Sequence, residues 1–325
     1  MVNFPSFRPP SAVPEEGAEP EAALPQPVCV MSFNTCDPCG ASGLTADITT
    51  ISSVGGHPLA VTTGTYIRDT SRIFDHYPMD DDCVAEQART VLEDLPVRAI
   101  KVGFVGSPAV LSTIAEIATD YPDIPIISYM PDLSWWDESQ QDQYLDAFQE
   151  LLMPQTSVLI GNHATLWRWL LPDWSQSRAP TARDIAMAAQ EKDVPYVLVT
   201  GIPLPGQFVD NVLTSPEAVI GSSKFELFDG NFVGAGDTLS AALTALLAAG
   251  NDLGAAADEA LDYLDRCLDN GFRPGMGLYL PDRMFWAQPE EDATEDGDDN
   301  ATDSSTPANT APIEGFVMPP HDTKH

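Results

Sequence analysis

Phe232-Val233-Gly234-Ala235-Gly236-Asp237-Thr238-Leu239-Ser240-Ala241-Ala242-Leu243 is the stretch from which the rest of the chain is read. Two glycines flank one small residue, an acid follows, and an alanine- and leucine-rich segment runs on to Gly250, so the spacing predicts a helix with Asp237 at its N-terminus. The first N–H groups of a helix lack intrahelical acceptors and lie at the positive end of its dipole, which makes such a turn an anion site. Glycines let the backbone approach the anion, and Asp237 is placed to take a proton from a hydroxyl that attacks phosphorus. An acid at this position also suits an ordinary helix cap, and the motif alone leaves both readings open.

Outward from that turn, short apolar runs alternate with helical spacing. Val28 to Phe33, Leu59 to Thr63, Ala99 to Phe104, Ile124 to Tyr129, Ser157 to Ile160 and Tyr196 to Thr200 read as strands. Between them, the segment from Leu44, then Val84 to Leu92, Ala109 to Ala118, Gln140 to Leu152 and Ala182 to Lys192 read as helices. Phe208 to Leu213 and Lys224 to Leu227 look like a β-ribbon leading into the glycine turn, and Leu239 to Ala249 and Leu253 to Asn270 form two closing helices. Strand and helix in regular turn imply an α/β fold with a mostly parallel sheet covered on both faces. Ligands bind such sheets beyond the carboxyl ends of the strands, which directs attention to the loops at 34–43, 65–70, 103–106, 130–137 and 200–206 and to Asn162.

Composition excludes several functions. Acids outnumber bases 49 to 15 in the 325 residues, for a net charge of -34, so a nucleic acid or an anionic membrane is not the partner. Residues 1–27 and 288–325 lack hydrophobic periodicity and read as a disordered leader and an acidic disordered tail around one domain, 28–287. The tails do not account for the charge: 28–287 holds 35 acids against 13 bases, a balance of −22. The 5 cysteines have no framework spacing, and Cys36 and Cys39 form a C-x-x-C with no second pair, so reduced thiols in a cytoplasm are expected. No signal-peptide pattern and no membrane-length apolar run is present. Trp167, Trp169 and Trp174 read as packing residues, and Trp135 and Trp136 fall in a loop expected to border the site.

Several further motifs occur in a telling order. Asp37-Pro38-Cys39-Gly40-Ala41-Ser42-Gly43-Leu44-Thr45-Ala46-Asp47 resembles the D-P-S-G-G-A-G-I-Q-A-D segment of the hydroxymethylpyrimidine/phosphomethylpyrimidine kinases of thiamin synthesis. Ala60 to Thr65 resembles their strand before the substrate loop, Ile100 to Ser107 their K-I-G-M-L-G-S, and Thr238 to Ala242 their T-L-S-A-A. The resemblance covers 28–287 and implies a ribokinase-like three-layer α/β/α sandwich that transfers a phosphoryl group from ATP, with Mg2+, to a hydroxymethyl group on a pyrimidine. It implies that Asp37, Gly40, Ser42, Gly43, Tyr66, Arg68 and Phe104 border the substrate. Asn162, Thr200, Gly201 and Thr238 would face the nucleotide, and Gly234, Ala235, Gly236 and Asp237 would hold the transferring phosphate. No residue is assigned to the metal. The expected partners are a small pyrimidine alcohol or its phosphate and ATP, and a homodimer is left open.

The departures from that family matter equally. Asp237 stands where the thiamin-pathway kinases usually carry Cys. Their N-x-x-E reads Asn162-His163-Ala164-Thr165, and their K-G-G-H reads Thr200-Gly201-Ile202-Pro203. Arg68 replaces the Glu or Gln that pairs with the pyrimidine; it would either face the pocket and favour an anionic substrate or swing out to Asp69 or Asp75. A pyridoxine or pyridoxal kinase, and a non-catalytic ligand-binding member of the same fold, are the alternatives.

Overall fold

Strand β1 (Cys29–Cys36) is buried along nearly its whole length, as a central parallel strand covered on both faces must be. The computed structural model describes residues 26–228 and 230–287. Around β1 the chain lays down α1 (Gly43–Ser53), β2 (His57–Arg68), β3 (Ile73–Pro78), α2 (Asp81–Asp94), β4 (Val97–Val102), α3 (Pro108–Asp120) and β5 (Ile126–Met130). Then come α4 (Glu138–Ala147), β6 (Thr156–Asn162), α5 (His163–Leu170), α6 (Ala182–Gln190), β7 (Tyr196–Leu204), β8 (Phe208–Thr214), β9 (Val219–Glu226), α7 (Ala235–Ala248) and α8 (Leu253–Asp269). The nine strands form one sheet in the order β3-β2-β1-β4-β5-β6-β7-β8-β9. Its centre is parallel, and β3, β8 and β9 add antiparallel edges.

Two apolar cores cover the faces. One gathers side chains of α2, α3, α4, α5 and α6, among them Val84, Leu111, Ile114, Phe148, Leu166 and Ile185. The other is built from α1, α7 and α8 through Ile51, Leu239, Leu243, Ala260 and Leu264. This is the α/β/α sandwich expected. Two elements go beyond the sequence reading. Strand β3 pairs antiparallel with the far half of β2, and α5 starts where the Asn162 side chain accepts a bond from the Ala164 N–H at 3.0 Å. The expected helix 140–152 divides into α4 and a π-helical turn, Phe148–Leu152.

Strand order reverses between β1 and β4: the chain moves from β1 outward through β2 and β3, then returns to the other side of β1. Such a switch opens a crevice at the strand ends. Helix α7 packs beneath β4, β5 and β1. Among the described residues no helix is long and apolar enough to cross a membrane. All five cysteines are free, and no group of three His, Cys, Asp or Glu side chains is arranged to hold a metal among the described residues. The expected tail, and the leader apart from its last two residues, lie outside the described residues.

Among the described residues Asp37, Asp47, Asp120, Asp184 and Asp237 take part in ion pairs, within a domain that carries 35 acids against 13 bases. Self-repulsion from this acidic excess opposes the folded state until salt screens it, and the screening length falls from about 10 Å at 0.1 M to about 3 Å at 1 M. Raising KCl over that range should therefore raise the calorimetric melting temperature by at least about 5 °C. A flat or falling melting temperature, with sucrose at matched osmolality as the control, would contradict this.

Candidate active site

Three segments far apart in sequence converge on one buried ammonium. Lys101, on β4, has no exposed surface; its Nζ donates to Asp47 Oδ1 at 2.6 Å and to Asp237 Oδ1 at 2.8 Å. Asp47 comes from α1 and Asp237 from the first turn of α7. Asn34, at the end of β1, donates through Nδ2 to both carboxylates, to Asp47 Oδ2 and Asp237 Oδ1 at 2.9 Å each. Ser32 Oγ adds a bond to Asp47 Oδ2 at 2.6 Å, and the Gly43 N–H donates to Asp237 Oδ2 at 3.0 Å.

These contacts fix the charge states. Burial disfavours the charged form of Asp237, but the Lys101 ammonium, the Gly43 N–H and the Asn34 amide outweigh it and hold the carboxyl below the usual carboxylate range. Burial likewise opposes the Lys101 charge, and the two carboxylates outweigh it and raise its pKa. Asp47 is pushed up by burial, which Lys101 offsets only in part.

Gly234 is the left-handed cap of α7, with φ 85°, and a Cβ there would collide with the Ala41 carbonyl. Gly43, with φ 59°, opens α1 in the same way against the Thr35 carbonyl. The two glycine segments therefore meet backbone to backbone, beside the carboxylate of Asp237. Asp37 organises the first of them: its side chain accepts from the N–H groups of Cys39 at 2.9 Å and Ser42 at 2.8 Å and from the Ser42 hydroxyl at 2.8 Å.

Arg68 turns inward onto the first glycine loop rather than out to the carboxylates of Asp69 or Asp75. Its Nη1 donates to Ser42 Oγ at 2.9 Å and lies 3.4 Å from the Asp37 carboxylate, and only 4% of the side chain is exposed. Its contact with Asp69 is to the backbone carbonyl. The charge is thus already paired, because Asp37 sits at the end of β1, next to the strand that carries Arg68. Tyr66 and Phe104 are buried and stacked on each other, with centroids 5.7 Å apart, inside a cluster that includes His76, Trp135, Trp136 and Tyr144. His76 is buried with Nε2 unpartnered, and burial lowers its pKa to about 4. Trp169 is buried; Trp174 is half-buried and donates to the Arg178 carbonyl.

Asn162, the last residue of β6, and Thr200, midway along β7, are register partners, and the expected loop at 200–206 is strand as far as Leu204. The Gly201 N–H donates to Asn211 Oδ1 at 3.0 Å, and Thr200 donates to the Gly161 carbonyl at 3.4 Å. Thr238 donates to the Gly234 carbonyl at 2.9 Å. A cavity of about 1010 Å³ lies against α5, α6 and β8, but none of the candidate catalytic residues lines it.

Lys101, Asp47, Asn34 and Ser32 have no assigned role in the sequence reading, although Asp47 and Lys101 lie in the motifs quoted above and Asn34 opens the loop at 34–43. A signal was present: Lys101 interrupts the apolar run 99–104, and a lysine in a strand buried on both faces needs an acidic partner. Arg283 also reaches the site from the end of the domain, with bonds to Thr238, Gly40 and Ala41; nothing in its neighbourhood of sequence marks it.

A family model for phosphomethylpyrimidine kinase matches residues 37–282. The hydroxymethylpyrimidine/phosphomethylpyrimidine kinase of Streptomyces coelicolor is 25% identical over 257 residues, which cover 78% of this chain and 93% of that one. The kinase of the same name from Mycobacterium tuberculosis is 26% identical over 258 residues, covering 77% and 92%. Among solved structures, the ADP complex of Bacillus subtilis pyridoxal kinase superposes with a TM-score of 0.71 at 20% identity, covering 80% of this chain and 99% of that one. The phosphomethylpyrimidine kinase of Clostridium difficile gives 0.61 at 20% identity, covering 73% and 97%. At such identities the structural likeness establishes the fold alone.

Removing the central cation would leave two buried carboxylates facing each other. Lys101→Met should lower unfolding stability by about 3–5 kcal/mol in a urea titration, the usual cost of stranding a buried charge. Adding Asp47→Asn should restore part of the loss. A loss below about 1 kcal/mol for the single variant would contradict the charge arrangement.

Proposed function

The chain belongs to the phosphomethylpyrimidine kinase family, and from that premise we propose that it transfers the γ-phosphoryl group of ATP to the hydroxymethyl group of a hydroxymethylpyrimidine or its monophosphate, in cytoplasmic thiamin synthesis. The observation that carries this reading is the Asp237 carboxylate, buried and held ionised at the glycine turn that opens α7. Its Oδ1 takes two bonds and its Oδ2 only one, from Gly43, so Oδ2 keeps room to accept a hydroxyl proton.

In this reading the substrate alcohol lies at Oδ2, beneath the first glycine loop. As its oxygen attacks the γ-phosphorus, the O–H proton passes to Asp237, the new O–P bond forms, and the bond from phosphorus to the bridging oxygen breaks to release ADP. The free N–H groups in the first turn of α7 receive the charge on the transferring phosphoryl oxygens. Magnesium supplies charge neutralisation in such transfers, yet the described residues offer no preformed cage for it and Thr165 brings only a hydroxyl. Pairing of Arg68 with Asp37 argues against a free cation selecting an anionic substrate, so the neutral alcohol and its phosphate are both retained as substrates.

The test is ATP consumption by purified protein with hydroxymethylpyrimidine, its phosphate, pyridoxine, pyridoxal and common sugars. Turnover should be fastest with a pyrimidine, and Asp237→Asn should cut kcat by about 100-fold or more. Fastest turnover with pyridoxine or pyridoxal would transfer the assignment to that class. Binding of nucleotide without turnover of any alcohol would make the protein a non-catalytic member.

A further inference from the structure

Arg283 follows α8 by many residues, but its guanidinium ends at the turn before α7. It is 7% exposed. Nε donates to Thr238 Oγ1 at 2.8 Å, Nη2 to the Ala41 carbonyl at 2.7 Å, and Nη1 to the Gly40 carbonyl at 3.3 Å. A Cβ on Gly234 would meet Nη2 at 2.6 Å, so the cation lies directly against the anion-binding turn.

All three acceptors are neutral. Among the described residues no carboxylate is in ion-pair contact with Arg283, while the ion pairs of the site go to Lys101 and Arg68. The hydrogen bonds of Arg283 go to neutral oxygens, and burial lowers its pKa against the longer-range attraction of Asp237 and Asp47. Among the described residues each terminal nitrogen makes one hydrogen bond, which leaves each an N–H for a phosphate oxygen. The charge balance points the same way. Lys101 against Asp47 and Asp237 leaves one negative charge in the interior, which would repel a phosphate, and Arg283 brings the set to neutrality. Once Asp237 has taken the alcohol's proton, the set is positive by one, at the stage when the phosphoryl group most needs a cation.

We propose that Arg283 is a further phosphate-binding residue of the transfer site, which stabilises the phosphoryl group at the Gly234 to Asp237 turn while its carbonyl contacts hold the Gly40 to Ala41 loop against that turn. The proposal rests on the kinase reading above. Its geometry explains why a segment so late in the chain crosses back to the first glycine loop.

The experiment compares Arg283→Gln and Arg283→Lys with wild type in titrations of adenosine and of the β,γ-imido analogue of ATP, alongside melting temperature, kcat and KM. Arg283→Gln should lose about tenfold to a hundredfold in affinity for the analogue and lose kcat as well, with adenosine affinity unchanged. Arg283→Lys, which keeps the charge and loses the fork, should recover most of the analogue affinity. Equal losses for adenosine and analogue in either variant would reduce Arg283 to a structural tie and overturn the proposal, as would an unchanged analogue affinity in Arg283→Gln. Should Arg283→Gln not fold, Arg283→Lys decides alone, since a tie that needs the fork fails for both ligands and a charge role fails for neither. A wild type that binds no analogue and consumes no ATP would overturn the kinase reading and this proposal together; a wild type active in both, with an indifferent Arg283→Gln, overturns this proposal only.

Discussion

A single ammonium group in the interior sets the terms for everything around it. Lys101 cannot be solvated where it lies, and transfer of a lone charge from water into such a site would cost far more than the fold's net stability. It persists because α1 delivers Asp47 and α7 delivers Asp237 to the same nitrogen. The requirement works in both directions. Two carboxylates so close could not both stay ionised without the lysine, and Asn34 shares its amide between them to complete the shells. One electrostatic constraint thus joins the central strands to both glycine-opened helices on one face.

That constraint puts chemistry where the topology leaves room. The sheet reverses its strand order at β1 and β4, and Asn34 and Lys101 stand on those two strands. Left-handed glycines at 43 and 234 bring the loops into backbone contact there, and the bonds of Asp37 to Cys39 and Ser42 shape the first loop. Arg68 and Arg283 close the loop from opposite sides, one through Asp37 and Ser42, the other through Gly40 and Ala41. The departure of Asp237 from the cysteine usual in the family has a physical context here. A thiol beside Lys101 would leave that lysine to one carboxylate, whereas Asp237 gives it two and is itself kept ionised.

How much of this could be read from the sequence follows from what each signal depends on. The central strands and most helices were legible because their periodicity is local, and the glycine turn because its residues are contiguous. Strand β3 is hard to read because Ile73 to Pro78 is a largely exposed edge that carries Asp75 and His76, and α5 because its 8 residues give barely two turns of periodicity. Lys101 was visible as an oddity in an apolar run, but its partners lie 54 and 136 residues away and no spacing rule connects them. Arg68 shows the converse. The resemblance implies that it borders the substrate, while its pairing depends on where the Asp37 carboxylate points, which is decided by backbone N–H groups that sequence does not display.

The central claim is that Asp237 is the proton acceptor and that its surroundings keep it ionised through the neutral range. The dependence of kcat/KM on pH, measured for wild type and for Asp237→Cys, tests it most directly. A group whose pKa lies below the carboxylate norm of about 4 stays deprotonated above it, so wild-type activity should show no acid limb between pH about 5 and 8. The cysteine variant should acquire one, falling about tenfold per unit as pH drops below the thiol's own pKa, which starts from a far higher reference value than a carboxyl's. Profiles of the same shape for both proteins would contradict the account.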